Sequence, residues 1–502
     1  MYLTFDVGTT SVKTALYSTD GKLVSKVIKS YKLNSPSVGW YEVDPEIYWS
    51  SVIKGFQEIL AKSGKAPGDI KSISGCSQGE TIILLDRDDR AVRPAIVWYD
   101  SRARKEVEDL KKITDNDEFY RITGIQKIGT LWSVLKLMWV KKNEPDAFNK
   151  TSRIMLVEDY ITYRLTGRFV SSASLLSTSG LIDIHKREYW DKTVDHIGIR
   201  DMLPEIIEEG SVAGGVLPAV AEEIGIEKGT IVVKGSMDQN TSAVGAGNIK
   251  PGIIAETTGS ALAITITSDD PEFSSGTALP YQPHVIPGKY IILPFAETSG
   301  IVYTWFKDEI AGRDSIETSG RKATYDDLNK MASSIPVGSD GLVFLPFLAG
   351  ATFPEDDSYA KGVFYGLTLK HSSAHMARAI LESIGFMLKK ILTYVEQSGI
   401  KVNEIRSMGG AARSGQWLQI KSDICGYPLI KMEEEETSTL GAALLASVKV
   451  GDYSSLEEAV SVIVKTGKKY TPDAKNTEAY TKSYSLYNEL YTVLKPLFRK
   501  YV

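Results

Sequence analysis

The chain has 502 residues, more than one hydrophobic core usually serves, so two or more domains are expected. Apolar residues make up 43% and charged residues 24%, with a formal net charge of -5, a balance that gives no reason to expect a nucleic-acid or membrane partner. Two cysteines, Cys76 and Cys425, exclude a disulfide framework; with no basic-then-apolar leader ahead of Tyr2 and no apolar run near the ~20 residues a bilayer requires, a cytoplasmic location is expected.

Tyr2 to Val7 reads as a strand, Gly8-Thr9-Thr10 as a tight turn and Val12 to Tyr17 as the returning strand. After Ser18-Thr19-Asp20-Gly21 the hairpin continues through Leu23 to Ser30. Small residues in the first turn let backbone approach phosphates, their hydroxyls and amides donate hydrogen bonds, and Lys13 adds a cation. Asp6, at the strand end, can hold the hydrated Mg²⁺ that bridges nucleotide phosphates. An ordinary hairpin turn explains the same residues equally well. A helix is predicted over Pro45 to Ala61, with Asp44 as N-cap and Pro45 at its first position.

Strand Thr230 to Lys234 then delivers Gly235-Ser236-Met237-Asp238-Gln239-Asn240, and a small-residue helix follows over Thr241 to Gly247. A carboxylate between a strand end and a helix start can take a proton from a sugar hydroxyl, or it can simply cap the helix. The opening pattern then returns: strand Ile253 to Glu256, turn Thr257-Thr258-Gly259-Ser260, strand Leu262 to Thr267. This long-range repeat predicts two related α/β domains, 1–248 and 249–502, dividing where Gly247, Pro251 and Gly252 cluster. Two such turns facing one another would grip a phosphoryl group from both sides. A third glycine turn spans Met408 to Ser414, fed by strand Ile405 to Met408. Ser414 is placed to cap a helix that runs to Cys425 before Gly426. The acidic run Glu433 to Glu436 reads as a solvated loop face.

Several further stretches carry a resemblance. Gly362-Val363-Phe364-Tyr365-Gly366-Leu367, followed by His375-Met376 and Ala379-Ile380-Leu381-Glu382, fits one family signature at every constrained position. Ser133, Lys136, Leu137, Trp139, Val140, Lys142 and Asn143 fit another, although Leu131 departs from its usual start. Gly39-Trp40-Tyr41-Glu42-Val43-Asp44-Pro45 and Trp98-Tyr99-Asp100-Ser101-Arg102 match two more. Over nearly its whole length the chain resembles the FGGY carbohydrate kinases, a family that includes xylulokinases, glycerol kinases and gluconokinases.

The resemblance implies two actin-like ATPase (ribonuclease H-like) domains flanking a catalytic cleft, with ATP and Mg²⁺ as cofactors and a small-molecule sugar as partner; it leaves a homodimer open. It implies Asp238 as the catalytic base and Asp6 beside the metal. Gly8, Thr9, Thr10 and Lys13 match the first phosphate turn; Thr258, Gly259 and Ser260 match the second. Gly409, Gly410, Arg413 and Ser414 match the adenosine-side loop. Sugar contacts are expected from Ser77, Gln78, Glu80, Asp238 and Gln239.

The sugar is the less legible part. Xylulokinases usually have Met-His where this chain has Ser77-Gln78, and glycerol kinases usually have Arg-Glu where it has Gly79-Glu80. Loss of that arginine is expected to leave room for a substrate larger than glycerol, with a pentulose such as xylulose ahead of glycerol, other polyols and gluconate. The family's Asp-x-Tyr-Ser-x-Ala-Ser stretch is degraded here, as Ser172 to Thr178. A non-catalytic sugar-binding regulator on the same fold would have no need of Asp6 and Asp238, and both are kept. A filament-forming actin relative would lack the two signatures. The absence of a strand–GxGxxG–helix unit near the N-terminus sets aside a dinucleotide oxidoreductase.

Overall fold

The computed structural model describes residues 1–271, 279–311 and 321–500. Its first sheet is built from β1 (Tyr2–Val7), β2 (Ser11–Tyr17), β3 (Leu23–Ser30), β4 (Ser72–Ser77), β5 (Val212–Gly215) and β6 (Ile231–Met237), in the order β5-β6-β4-β1-β2-β3. The three central strands, β6, β4 and β1, are parallel, and β2, β3 and β5 run antiparallel to their neighbours. Every residue of β1 is buried, as a central strand covered on both faces requires. Helix α1 (Pro45–Ser63) covers one face. Its Tyr48, Val52, Phe56 and Ile59 recur at helical spacing and are fully buried, each contributing about 1.5–3 kcal/mol. Asp44 caps α1 by accepting from the Glu46 N–H at 3.0 Å, and Gly64 ends it in the left-handed region.

The second sheet repeats this plan. Strands β7 (Ile253–Thr258), β8 (Leu262–Ser268), β9 (Tyr281–Pro283), β10 (Tyr290–Ile292), β11 (Phe295–Ala296), β12 (Glu404–Met408), β13 (Leu429–Met432) and β14 (Thr466–Tyr470) make eight strands in the order β9-β10-β8-β7-β12-β13-β14, with β11 beside β8. Here too β7, β12 and β13 are parallel and their outer neighbours antiparallel. The duplication expected from the two strand–turn–strand units therefore extends to both whole sheets.

Between the sheets, helix α2 (Asp238–Gly245), which follows β6, crosses helix α3 (Thr437–Lys449), which follows β13. The crossing is reciprocal. A Cβ on Gly245 would lie 1.9 Å from the Thr437 carbonyl oxygen, and one on Gly441 would lie 1.9 Å from that of Thr241. Only glycine at both positions lets the two backbones approach so closely. Further bonds reach across the same seam: Ser438 to Asp6 at 2.7 Å, Tyr17 with Thr439 at 2.9 Å, and Tyr2 to Asp452 at 2.6 Å.

The acidic run does not behave as a solvated face throughout. The Glu436 side chain is only 13% exposed and meets Lys26 at 2.9 Å and Lys13 at 3.3 Å. Two cations from the first sheet's hairpin draw it into the seam, so its place is corrected from loop surface to inter-domain contact.

Candidate active site

Asp238 owes its position to the end of β6. The register of β6 against β4 shifts between Val233 and Ser236, and at that shift a Cβ on Gly235 would sit 1.6 Å from the Gly75 carbonyl oxygen. Met237 stays extended, and Asp238 is the first residue of α2. The helix thus starts three residues before the expected Thr241, and Asp238 lies just inside it instead of capping it. One carboxylate oxygen accepts from the Gln239 N–H at 2.6 Å. Burial raises the Asp238 pKa from 3.8 to about 8; the negative charges of Asp6 and Glu80 add to the effect.

At the first turn the Gly8 N–H donates to the Ser11 carbonyl at 3.0 Å, and the Thr9 hydroxyl accepts from the Trp98 indole at 2.9 Å. Thr10 is exposed. Asp6 accepts from Ser438, and Lys13 lies 3.6 Å from the same carboxylate oxygen. The charge of Asp6 holds the Lys13 ammonium well above its ordinary pKa.

The second turn presents Gly259 and Ser260 to solvent, whereas Thr258 is buried with its hydroxyl bonded to Glu256 and Lys421. Gly409 lies against this turn: a Cβ there would be 3.1 Å from the Thr258 carbonyl oxygen. Gly410 is exposed. Arg413 is also exposed and pairs with Glu435 at 2.6 Å, and Ser414 accepts from the Trp417 N–H as the predicted helix cap. Both backbone turns therefore sit side by side at the ends of β7 and β12.

A cavity of about 830 Å³ opens beside Asp238. The first domain lines it with Thr9, Gln78, Gly79, Glu80, Trp98, Thr178, Asp238 and Gln239; the second contributes Tyr281, Gln282, Phe295, Phe353 and Tyr394. Gln78 is 4% exposed; its amide N–H donates to Tyr48 at 3.2 Å, and its Oε1 has no partner. Burial pushes the Glu80 carboxyl upward, and a hydrogen bond from Thr178 opposes the push.

Lys136, fully buried, donates to the backbone carbonyls of Trp98 and Leu131 at 2.6 Å each and of Glu80 at 3.2 Å. Desolvation lowers its pKa, and the charge of Glu80 opposes the shift. One signature lysine thus ties three wall residues of the cavity together.

Two expectations need correction. Ser77 does not reach the cavity: it is fully buried, and its hydroxyl donates to the Gln78 carbonyl at 2.9 Å and accepts from the Glu158 N–H at 3.0 Å. Gly79 does not leave open space either. A Cβ there would lie 2.9 Å from the Thr178 hydroxyl and 3.0 Å from the Met237 sulfur, so neighbours have taken up the missing side chain's volume. Of the sequence-predicted residues, Thr9, Gln78, Glu80, Asp238 and Gln239 share the cavity; the second turn and the Gly409 to Ser414 loop do not line it. Sequence reasoning missed Tyr281, Gln282, Phe353 and Tyr394, which no local pattern marks. Trp98 and Thr178 lay inside stretches already singled out.

The N-terminal domain model of the FGGY family of carbohydrate kinases matches residues 1–245, and the C-terminal domain model matches residues 253–450. A xylulose kinase of Bacillus subtilis is 30% identical over 496 residues, covering 98% of this chain and 97% of that protein. A gluconokinase of the same organism is 30% identical over 483 residues, covering 95% and 93%. The structure of a ligand-bound xylulose kinase from Lactobacillus acidophilus superposes with a TM-score of 0.91 at 28% identity, covering 100% of both chains.

Proposed function

This chain belongs to the FGGY family of carbohydrate kinases, and from that premise we propose that it transfers the γ-phosphoryl group of ATP to a hydroxyl of a small neutral sugar, xylulose or a similar pentulose first. The observation that carries the choice is the polar floor of the cavity, where Asp238, Glu80 and the unpartnered oxygen of Gln78 meet. That floor suits hydroxyl donors. It offers no free cation to the carboxylate of an aldonate such as gluconate: the one cation among the described lining residues, Lys127, is already paired with Asp356.

In this reading Asp238 accepts the proton of the attacking hydroxyl as the new O–P bond forms and the bond to the ADP oxygen breaks. A pKa near 8 places that base close to working pH. Gln78, Glu80 and Gln239 hold the other hydroxyls, and Lys136 fixes the wall that presents them. Gly8, Thr9, Thr10 and Lys13 face the phosphates from the first domain. Gly259 and Ser260 do so from the second, with Thr258 buried behind them and bonded to Glu256 and Lys421, and with Gly409, Gly410, Arg413 and Ser414 toward the adenosine.

The donor set suits Mg²⁺. The charge of Asp6 raises the Asp238 pKa, so a dication beside them would relieve the repulsion. Mg²⁺ keeps several of its waters and needs only one or two protein carboxylates. Asp6 would hold the ion, and when bound it supplies charge neutralisation to the phosphates. Steady-state kcat/KM for xylulose, gluconate and glycerol with ATP tests the proposal. Xylulose should lead by at least about tenfold; a lead for gluconate or glycerol would overturn the choice of sugar.

A further inference from the structure

Beneath the second turn lies a buried charged cluster that the proposed chemistry does not use. Lys421, on the helix Gly415–Cys425, donates to Glu256 at 2.8 Å and to the Thr258 hydroxyl at 2.6 Å. The Thr258 hydroxyl donates to the other oxygen of Glu256 at 2.7 Å, and Ser407 donates to Glu256 at 2.8 Å. All four side chains are at most 1% exposed. Glu256 and Thr258 close strand β7 before Gly259 and Ser260. Ser407 stands at the end of β12 before the Gly409 loop, and Lys421 stands on the helix that leaves that loop.

We infer that Lys421 is a positioning residue for nucleotide binding, holding the Thr258–Ser260 turn and the Gly409–Ser414 loop in one fixed arrangement through Glu256. The inference rests on the reading of these two loops as the nucleotide side of the site.

An ion pair at this depth is a poor source of stability. Desolvating both charges offsets most of their attraction, and apolar residues of similar volume stabilise an interior as well or better. What the cluster supplies is geometry. Each carboxylate oxygen of Glu256 is bonded from two directions or by a hydroxyl that is itself held, so the strand end before the turn cannot rotate without breaking a charge-assisted bond. A Cβ on Gly409 would lie only 3.1 Å from the Thr258 carbonyl oxygen, so the two loops pack backbone to backbone and a shift of one moves the other. Backbone N–H groups that bind phosphates work only when their directions are fixed in advance.

The test uses the full-length protein with ADP and xylulose as probes in separate calorimetric titrations. The double variant Glu256→Gln with Lys421→Met removes both charges and keeps both volumes, so no lone buried charge remains. Thr258→Val keeps the ion pair and removes only the hydroxyl that links it to the turn. The double variant is expected to bind ADP about tenfold more weakly, with Thr258→Val losing a fewfold, while xylulose affinity stays within about twofold. A folded double variant with wild-type ADP affinity overturns the inference, as does an equal loss for both ligands, which marks a merely structural cluster. Should the double variant fail to fold, unchanged ADP affinity in Thr258→Val overturns it. Wild-type protein that binds no ADP refutes the nucleotide reading itself, a different result from a wild type that binds and variants that bind equally well.

Discussion

Replacing Asp238 by asparagine should abolish most turnover and, above pH 8, make the protein more stable. Its carboxyl has an ordinary pKa of 3.8 in the unfolded chain and about 8 in the fold, so the folded state holds one more proton between these values. Stability therefore falls as pH rises through this window, and the loss is complete above pH 8. Each pH unit corresponds to about 1.4 kcal/mol, so the window of about four units bounds the loss near 6 kcal/mol. Water in the open cleft solvates part of the charge and brings the expected effect to about 2–3 kcal/mol. Asparagine keeps the shape and stays neutral. Thermal unfolding of Asp238→Asn and wild type should therefore coincide near pH 4 and separate by about 4–6 °C at pH 9, the variant melting higher. Equal transition temperatures across the whole range would refute the claim that the fold holds Asp238 against its preference for water.

Three further substitutions test the same geometry. Asp6→Ala should weaken the Mg²⁺ dependence of the rate and lower turnover by about 10²-fold or more while sugar affinity changes little, read from Mg²⁺ titrations of initial rate. It should also move the acid limb of the kcat/KM profile downward, because the charge of Asp6 helps raise the Asp238 pKa. Glu436→Gln frees Lys13 from a competing carboxylate 3.3 Å away, and the apparent KM for ATP should fall about two- to fivefold at low salt, with the difference shrinking as salt is added. Gly79→Arg should not yield a glycerol kinase: its Cβ alone would crowd Thr178 and Met237, and sugar kcat/KM should drop at least about tenfold for every acceptor tried.

The duplicated strand–turn–strand units were legible because glycine turns and strand alternation are local signals, and they carried over to two sheets of matching order. Asp238, Gln78 and Glu80 were legible for the same reason, each sitting at a strand end or in the turn beyond it. Glu436 was misread because its partner Lys26 is 410 residues away, and an acidic run looks the same whether its cations come from solvent or from another domain. Ser77 was misassigned because strand alternation alone does not say which neighbour a hydroxyl finds; the Glu158 N–H, 81 residues on, had already claimed it. The empty space inferred at Gly79 was filled by Thr178 and Met237, and packing across the chain is what a sequence read in one direction conceals. The far wall of the cavity, with Tyr281, Phe353 and Tyr394, comes from three separate segments of the second domain. None of those three residues lies within a motif.

The central claim is that Asp238 drives phosphoryl transfer from ATP to a sugar hydroxyl in this cavity. Phosphorus NMR of the wild type with ATP, Mg²⁺ and xylulose should show ADP and a sugar phosphate monoester forming together, and Asp238→Asn should slow that formation about 10²–10⁴-fold while its ADP affinity stays unchanged. Inorganic phosphate in place of the sugar ester, or a variant that turns over at the wild-type rate, would contradict it.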